Sequence, residues 1–178
     1  MMNKKRIAVI GLITVTLGIY LFVANGDKNE QIEVAKNIQQ LVHNYSVGSI
    51  EAQSASITSS QLIVTNTDAS EEIYDLLEDD FFVSIAPYIE TTHPCSNHSL
   101  TGCRGEMAEE EFAVLIEDTQ GNVIIDQTFI SQANGFIDFW LPRDRTYRVT
   151  IAHDGKSQES EISTFLNDNT CITTMQLI

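Results

Sequence analysis

The chain has 178 residues, of which 43% are hydrophobic, and ten Lys and Arg residues stand against 25 Asp and Glu residues, a formal net charge of −15. The hydrophobic fraction is that of a folded globular protein, which argues against a disordered chain. The negative charge argues against nucleic acid as a partner, because binding by counterion release needs a positively charged surface.

Residues 1–26 have the pattern of a segment that directs a chain out of the cytoplasm. Lys4-Lys5-Arg6 precedes Ile7–Ala24, a run of 18 residues without a charge. This pattern is typical of a cleaved signal peptide, and the run is also long enough to be an N-terminal membrane anchor. Either interpretation places the rest of the chain outside the cytoplasm, in the periplasm or at the outer face of the cytoplasmic membrane. Residues 27–178 then carry seven basic and 25 acidic residues, a formal −18.

Residues 27–80 are predicted to form an N-terminal segment with one helix and one strand. An apolar stripe at helical spacing predicts a helix over Asp27–His43. The polar stretch Asn44–Ser60 is predicted to be a connector, with a short helical turn around Ile50–Ala55. Gln61–Thr65 is rich in β-branched residues and predicts a strand.

Residues 81–178 are predicted to form a mainly antiparallel β domain. The first strand is expected at Phe81–Tyr88, and the last at Cys171–Ile178. Between them, short apolar runs recur about every 8–12 residues and are separated by turn signals such as Asp154-Gly155. The predicted fold class is therefore α+β, with an N-terminal helix-containing segment plus an antiparallel β-sandwich-like domain.

Three cysteines and two histidines form a dense group of soft metal donors. They are His93, Cys95, His98, Cys103 and Cys171. The first four share one loop, and we expect the fifth to meet that loop if the last strand lies beside Phe81–Tyr88. One disulfide would leave one thiol over, whereas a thiolate metal site can use all three. We therefore interpret the group as a metal site.

The metal follows from the softness of the ligands. Three sulfurs with nearby imidazole favour Cu(I). Zinc is the competing ion, but the spacing departs from the paired cysteines of zinc ribbons. The thiolates could also reduce Cu(II) to Cu(I) and leave a disulfide, so enzymatic reduction stays open beside simple binding. The alternative is a Cys95–Cys103 disulfide with Cys171 left over, in a disulfide-stapled adhesion or scaffold module without metal.

Several motifs from Phe81 to the C-terminus resemble those of the CueP family of copper-binding proteins. In chain order they are Phe82-Val83-Ser84-Ile85-Ala86-Pro87-Tyr88, Thr92-His93-Pro94-Cys95, His98-Ser99-Leu100-Thr101, Cys103-Arg104-Gly105-Glu106, Asn134-Gly135-Phe136, Trp140-Leu141-Pro142-Arg143-Asp144 and Thr170-Cys171-Ile172-Thr173-Thr174. Before Phe81, only the helix and the Gln61–Thr65 strand correspond, and they do so loosely.

The resemblance implies an extracytoplasmic copper-resistance protein. It implies that Cys95, Cys103 and Cys171 bind copper, and can reduce it, with His93 and His98 as candidate histidine ligands. The implied partners are copper ions and a copper-accepting client protein. Membrane contact is expected only through residues 1–26, and the sequence leaves a homodimer open.

Overall fold

The computed structural model describes residues 34–178. The predicted signal peptide or membrane anchor, residues 1–26, lies outside the described residues, and so does the start of the predicted helix. Within residues 34–178 there is no helix with the length and hydropathy of a membrane span. The domain boundaries at residues 26/27 and 80/81 stay predictions.

The described part of the chain contains one helix and eleven strands. The helix α1 spans residues 34–46. The strands are β1 Ser54–Ile57, β2 Gln61–Thr65, β3 Glu71–Asp75, β4 Asp80–Ile85, β5 His98–Ser99, β6 Glu111–Asp118, β7 Val123–Ile130, β8 Ile137–Pro142, β9 Thr146–His153, β10 Lys156–Ser163 and β11 Cys171–Ile172.

These strands form three sheets, and the short helix beside them confirms the predicted α+β class. The strand orders are β3-β2-β1-β5, β10-β9-β6-β7 and β11-β4-β8. All strand neighbours are antiparallel except β11 and β4, which run parallel with Cys171 opposite Ser84. The condition under which Cys171 was expected to meet the donor loop, a last strand beside the Phe81 strand, is therefore met.

Strand β4 separates two hydrophobic cores. Phe81 and Val83 belong to the larger core, with the alternating buried side chains of β6 and β9. Phe82 points into the second core, where Val42 of α1 packs with Leu62 of β2. Because both of its faces are covered, β4 is buried at every position after Asp80, and its run Phe81-Phe82-Val83 is apolar without alternation. This doubly buried strand is the rigid element next to which Cys171 lies.

Two local predictions differ from the structure, and one strand was not predicted. The expected helical turn around Ile50–Ala55 is wrong, because β1 begins at Ser54. The last strand is only two residues long, and a parallel bridge between Tyr88 and Gln176 follows it. Strand β3 was not predicted, because its side chains are polar and mostly exposed and therefore give no apolar alternation.

Candidate metal centre

Cys95, His98, Cys103 and Cys171 come together in the folded chain. Their ligand atoms, three sulfurs and one imidazole nitrogen, all lie within 4.8 Å of one another. Cys95 lies in the loop after β4, His98 begins β5, and Cys103 follows β5. Cys171 begins β11, 76 residues after Cys95. The pairing of β11 with β4 is what brings this distant sulfur to the loop.

The segment before β11 is hydrogen-bonded on both sides. The carbonyl of Ser96 accepts the backbone N–H of Thr170 at 3.0 Å and that of Cys171 at 3.1 Å. From the other side, the N–H of Ser84 donates to the carbonyl of Thr170 at 2.9 Å. The Cα atoms of Cys95 and Cys171 consequently lie 5.6 Å apart.

Two further contacts fix the loops that carry Cys95 and Cys103. The N–H of Cys103 donates to the carbonyl of Ser99 at 3.0 Å, which forms a turn directly after β5. The Glu106 carboxylate accepts backbone N–H groups from residues 89–91, where the chain leaves β4. These hydrogen bonds, above all the one from Thr91, lower the pKa of Glu106 and keep it charged.

The three sulfurs permit two oxidation states of the site. Cys95 and Cys171 are at disulfide-bonding distance, and Cys103 is a free thiol. The Cys103 sulfur lies 3.6 Å from that of Cys95, a contact without a bond. The pairing named in the metal-free alternative, Cys95 with Cys103, is therefore not the one formed, because the β11–β4 pairing brings Cys171 closer. Oxidised, the site holds one disulfide and one thiol; reduced, it offers three thiolates.

His98 is a neutral, buried imidazole without a hydrogen-bond partner. The residue has no exposed surface, and neither Nδ1 nor Nε2 makes a hydrogen bond. Its ring lies 4.4 Å from that of Phe136, centroid to centroid, and 6.1 Å from that of Phe82. The pKa of His98 is lowered to about 4, chiefly by burial; the charge of Asp138 raises it and that of His93 lowers it, each by less than burial does. Its unused lone pair fits a soft metal ion beside the sulfurs.

His93 lies outside the group of four. It is half-buried, and its ring centroid is 6.4 Å from that of Phe136. The two half-buried sulfurs of Cys95 and Cys103 form the accessible side of the cluster, whereas Cys171 and His98 form its buried side. Any ion or reagent from solvent therefore reaches Cys95 and Cys103 first.

Sequence patterns reveal little about the residues that support this cluster. The Thr170 hydroxyl accepts the backbone N–H of His98 at 3.0 Å. The half-buried Asp138 carboxylate accepts hydrogen bonds from the hydroxyl of Ser84 and the amide of Gln132. The Thr170–His98 and Ser84–Asp138 bonds join residues that are distant in the chain, and the Gln132–Asp138 bond depends on how the loop before β8 folds, so local sequence patterns do not reveal them. Only the position of Thr170 directly before a donor cysteine was a signal.

Comparison with known proteins identifies the family. The family model of the periplasmic copper-binding protein CueP matches residues 34–176. A crystal structure of S.CueP is 34% identical and covers 84% of this chain and 97% of its own, with a TM-score of 0.73. A search of curated proteins found no match. The family match begins at α1, well before the motifs that start near Phe81. The chain therefore belongs to the CueP family of periplasmic copper-binding proteins.

Proposed function

We propose that this protein captures copper outside the cytoplasm as Cu(I), for copper resistance or for delivery to a client protein. Cys95, Cys103 and Cys171 would be the thiolate ligands and His98 the imidazole ligand. The observation that carries this assignment is the presence of three sulfurs and a buried, unpartnered imidazole within 4.8 Å of one another. Membership of a periplasmic copper-binding family supports the metal and the location. Soft, closely spaced sulfurs favour Cu(I), with zinc as the second choice.

His93 is assigned a secondary role. It is half-buried beside Phe136, the ring that also contacts His98. A second imidazole next to the cluster would hold a copper ion while it enters or leaves, with no permanent place among the ligands. A client protein would take copper from the side of Cys95 and Cys103, where the sulfurs are partly exposed.

Cys95 and Cys171 also support reduction of Cu(II). In this step each thiolate gives one electron, the two sulfurs form a disulfide, and two Cu(II) ions become two Cu(I) ions. The thiol protons go to solvent. Another round requires an external thiol reductant to reopen the disulfide. Without one, conversion of Cu(II) should stop at stoichiometric amounts, and an indicator dye for Cu(I) would measure this.

The ligand assignment is tested by Cys171→Ser in the reduced protein. We expect Cu(I) affinity to fall by at least about 100-fold, because losing a ligand costs more than losing a residue that only orients one. Competition with a Cu(I) chelator measures the affinity. Met175→Leu is the matched control, since Met175 is a fully buried sulfur residue on the same segment but belongs to the large core. Parent-like affinity of the Cys171→Ser protein would contradict the assignment.

The disulfide-bonding distance between Cys95 and Cys171 favours one alternative, a disulfide-stapled scaffold without metal. Counting thiols in protein purified without oxygen separates the two. A scaffold shows one reactive thiol, Cys103, with or without copper. A copper site shows three reactive thiols before copper is added and protects them afterwards.

A further inference from the structure

Thr170 makes an unusual number of contacts for a residue without a metal-binding group. It is fully buried, and its hydroxyl accepts the backbone N–H of His98 at 3.0 Å and donates to the carbonyl of Ile57 at 2.6 Å. We propose that Thr170 is a positioning residue that holds His98 and Cys171 together, so that the metal site is formed before copper arrives. This inference rests on the proposed copper-binding function.

The hydroxyl of Thr170 joins elements from two sheets. Ile57 of β1 and His98 of β5 are opposite each other in the register of the first sheet. Thr170 directly precedes β11, which belongs to the sheet of β4 and β8. The Thr170 hydroxyl therefore connects the His98 N–H of β5 to the Ile57 carbonyl of β1, and it links both strands to the segment that leads into β11.

The backbone of Thr170 continues the same network. Its N–H donates to Ser96, which lies between Cys95 and His98, and its carbonyl accepts from Ser84 of β4. Cys171 is its covalent neighbour. Every polar group of Thr170 is thus used to fix a segment that carries a ligand or lies next to one.

This arrangement matters most when the Cys95–Cys171 disulfide is open. In the reduced state no covalent bond joins the loop to β11, so hydrogen bonds must keep the sulfurs and the imidazole close. When the ligands are ordered before binding, copper binding does not have to offset the entropy lost in ordering them. The affinity for copper is then higher. The Thr170 hydroxyl is a side-chain link between the donor loop and the segment of Cys171, in addition to the hydrogen bond from the Thr92 hydroxyl to the Thr173 carbonyl.

Removal of this hydroxyl should have a defined effect. Thr170→Val keeps the shape of the side chain but leaves the His98 N–H and the Ile57 carbonyl without this partner. Thr170 is fully buried, so water does not readily replace its hydroxyl. The separation between the loop and β11 should then fluctuate more. In the metal-free protein we expect the effective concentration of the Cys95 and Cys171 thiols to fall by about tenfold. We expect the Cu(I) affinity of the reduced protein to fall by about the same factor.

The chain offers a close control. Thr164 is also fully buried, and its hydroxyl likewise accepts a backbone N–H, that of Arg145 at 3.1 Å, and donates to a carbonyl, that of Pro142 at 2.9 Å. Thr164→Val therefore loses the same kind of bridge outside the cluster of donors. Thr170→Ser keeps the hydroxyl and should restore the parent behaviour.

The first measurement needs no metal. In a Cys103→Ser background, equilibration with glutathione buffers gives the effective concentration of the Cys95 and Cys171 thiols. We expect it to fall about tenfold in Thr170→Val and to stay near the parent value in Thr164→Val and Thr170→Ser. The second measurement is the Cu(I) affinity of the reduced proteins that retain Cys103. It should fall in Thr170→Val and stay near the parent value in Thr164→Val and Thr170→Ser. Unfolding curves should show similar losses of stability for the two valine variants.

Equal behaviour of Thr170→Val and Thr164→Val in the glutathione measurement would overturn the inference. If the parent protein bound no Cu(I), the proposed function would fail, and the glutathione measurement would still decide the role of Thr170. Should Thr170→Val not fold, hydrogen exchange of the His98 amide in the parent decides instead. Slow exchange, like that of the strand cores, is expected, and rapid exchange would overturn the inference.

Discussion

His98 buries both of its ring nitrogens without a hydrogen-bond partner in the described structure. A buried polar group without a partner costs roughly 1–3 kcal/mol, so a metal-free His98 destabilises the fold. A metal ion bound to one nitrogen would remove part of this cost and add the energy of the new bond. The same aromatic surroundings that exclude water from His98 also keep its imidazole neutral, which is the form that binds metal.

We expect the burial of His98 to make the metal-free protein less stable as the pH falls. The pKa of His98 drops from 6.5 to about 4 on folding, so between these values the unfolded chain binds a proton that the folded chain does not. The free energy of unfolding should therefore be highest above pH 6.5 and decrease towards pH 4. Between pH 6.5 and 5 the decrease from this group should be about 1.5 kcal/mol.

Urea unfolding at several pH values measures this decrease. His98→Phe is the control, because it keeps an aromatic ring in the aromatic site and cannot take up a proton. The difference between the two proteins isolates the contribution of His98 from that of the other titrating groups. Parallel stability curves for parent and variant over pH 6.5–5 would contradict the expectation.

At the scale of elements, two loops cross at a pair of glycines. A Cβ atom on Gly105 would lie 2.6 Å from the carbonyl oxygen of Gly135, and a Cβ on Gly135 would lie 2.7 Å from the carbonyl of Gly105. Gly135 also has φ of +81°, a conformation that other residues rarely adopt. Cys103 lies just before one glycine and Phe136 just after the other. The close crossing therefore places the third sulfur and the ring that covers His98 relative to each other.

Gly105→Ala should push these two loops apart. Because the added methyl group meets backbone rather than a movable side chain, we expect a loss of about 1–3 kcal/mol in stability. Cu(I) affinity should fall several-fold as Cys103 moves. Gly102→Ala, on the other side of Cys103, is the control, since its methyl group meets only the Ser99 side chain. Denaturant unfolding and chelator competition measure both effects, and equal losses in the two variants would contradict the proposed role of the crossing.

The sequence was most informative about elements whose side chains alternate. β6 and β9 bury every second residue, and the turn at Asp154-Gly155 joins β9 to β10 as predicted. The pattern failed for β1, a short strand within a polar stretch, and for β3, whose side chains are mostly exposed. It also did not indicate the parallel orientation of β11, because two strand residues carry no directional signal.

The candidate site was predictable to a similar degree. Cysteine and histidine reveal themselves by chemistry, so the four clustered donors could be proposed before the fold was known. His93 also has a donor side chain, but a loop sequence does not show which way each imidazole points. Thr170 was not predictable, since its hydroxyl acts on residues 72 and 113 positions away. Positioning contacts of this kind depend on the three-dimensional packing of separate strands.

At the scale of the whole molecule, the site lies where the long-range connections of the fold meet. Cys171 packs with Ala86 and Phe136 in a small apolar cluster of its own, with Cys95 and Cys103 against it. The neighbouring strand β4 contributes to both large cores. The state of the three sulfurs should therefore affect the stability of the entire fold.

We expect the oxidised, metal-free protein to be more stable than the reduced, metal-free protein. The Cys95–Cys171 bond joins residues 76 positions apart, and restricting the unfolded chain over such a loop contributes about 4 kcal/mol in the chain-entropy account. Guanidinium unfolding with and without a thiol reductant measures the difference. Adding Cu(I) to the reduced protein should recover stability, because a ligand that binds the folded state shifts unfolding in proportion to the logarithm of its concentration over its dissociation constant.

Two cysteine variants test which bond produces this effect. Cys103→Ser keeps the Cys95–Cys171 pair. The difference in the free energy of unfolding between the oxidised and the reduced protein should therefore be unchanged in this variant. Cys171→Ser leaves only Cys95 and Cys103, which are eight positions apart. A disulfide across that shorter loop contributes about 2 kcal/mol less. If Cys103→Ser removed the difference and Cys171→Ser preserved it, the stabilising bond would be Cys95–Cys103. The link between β11 and the donor loop would then depend on hydrogen bonds alone.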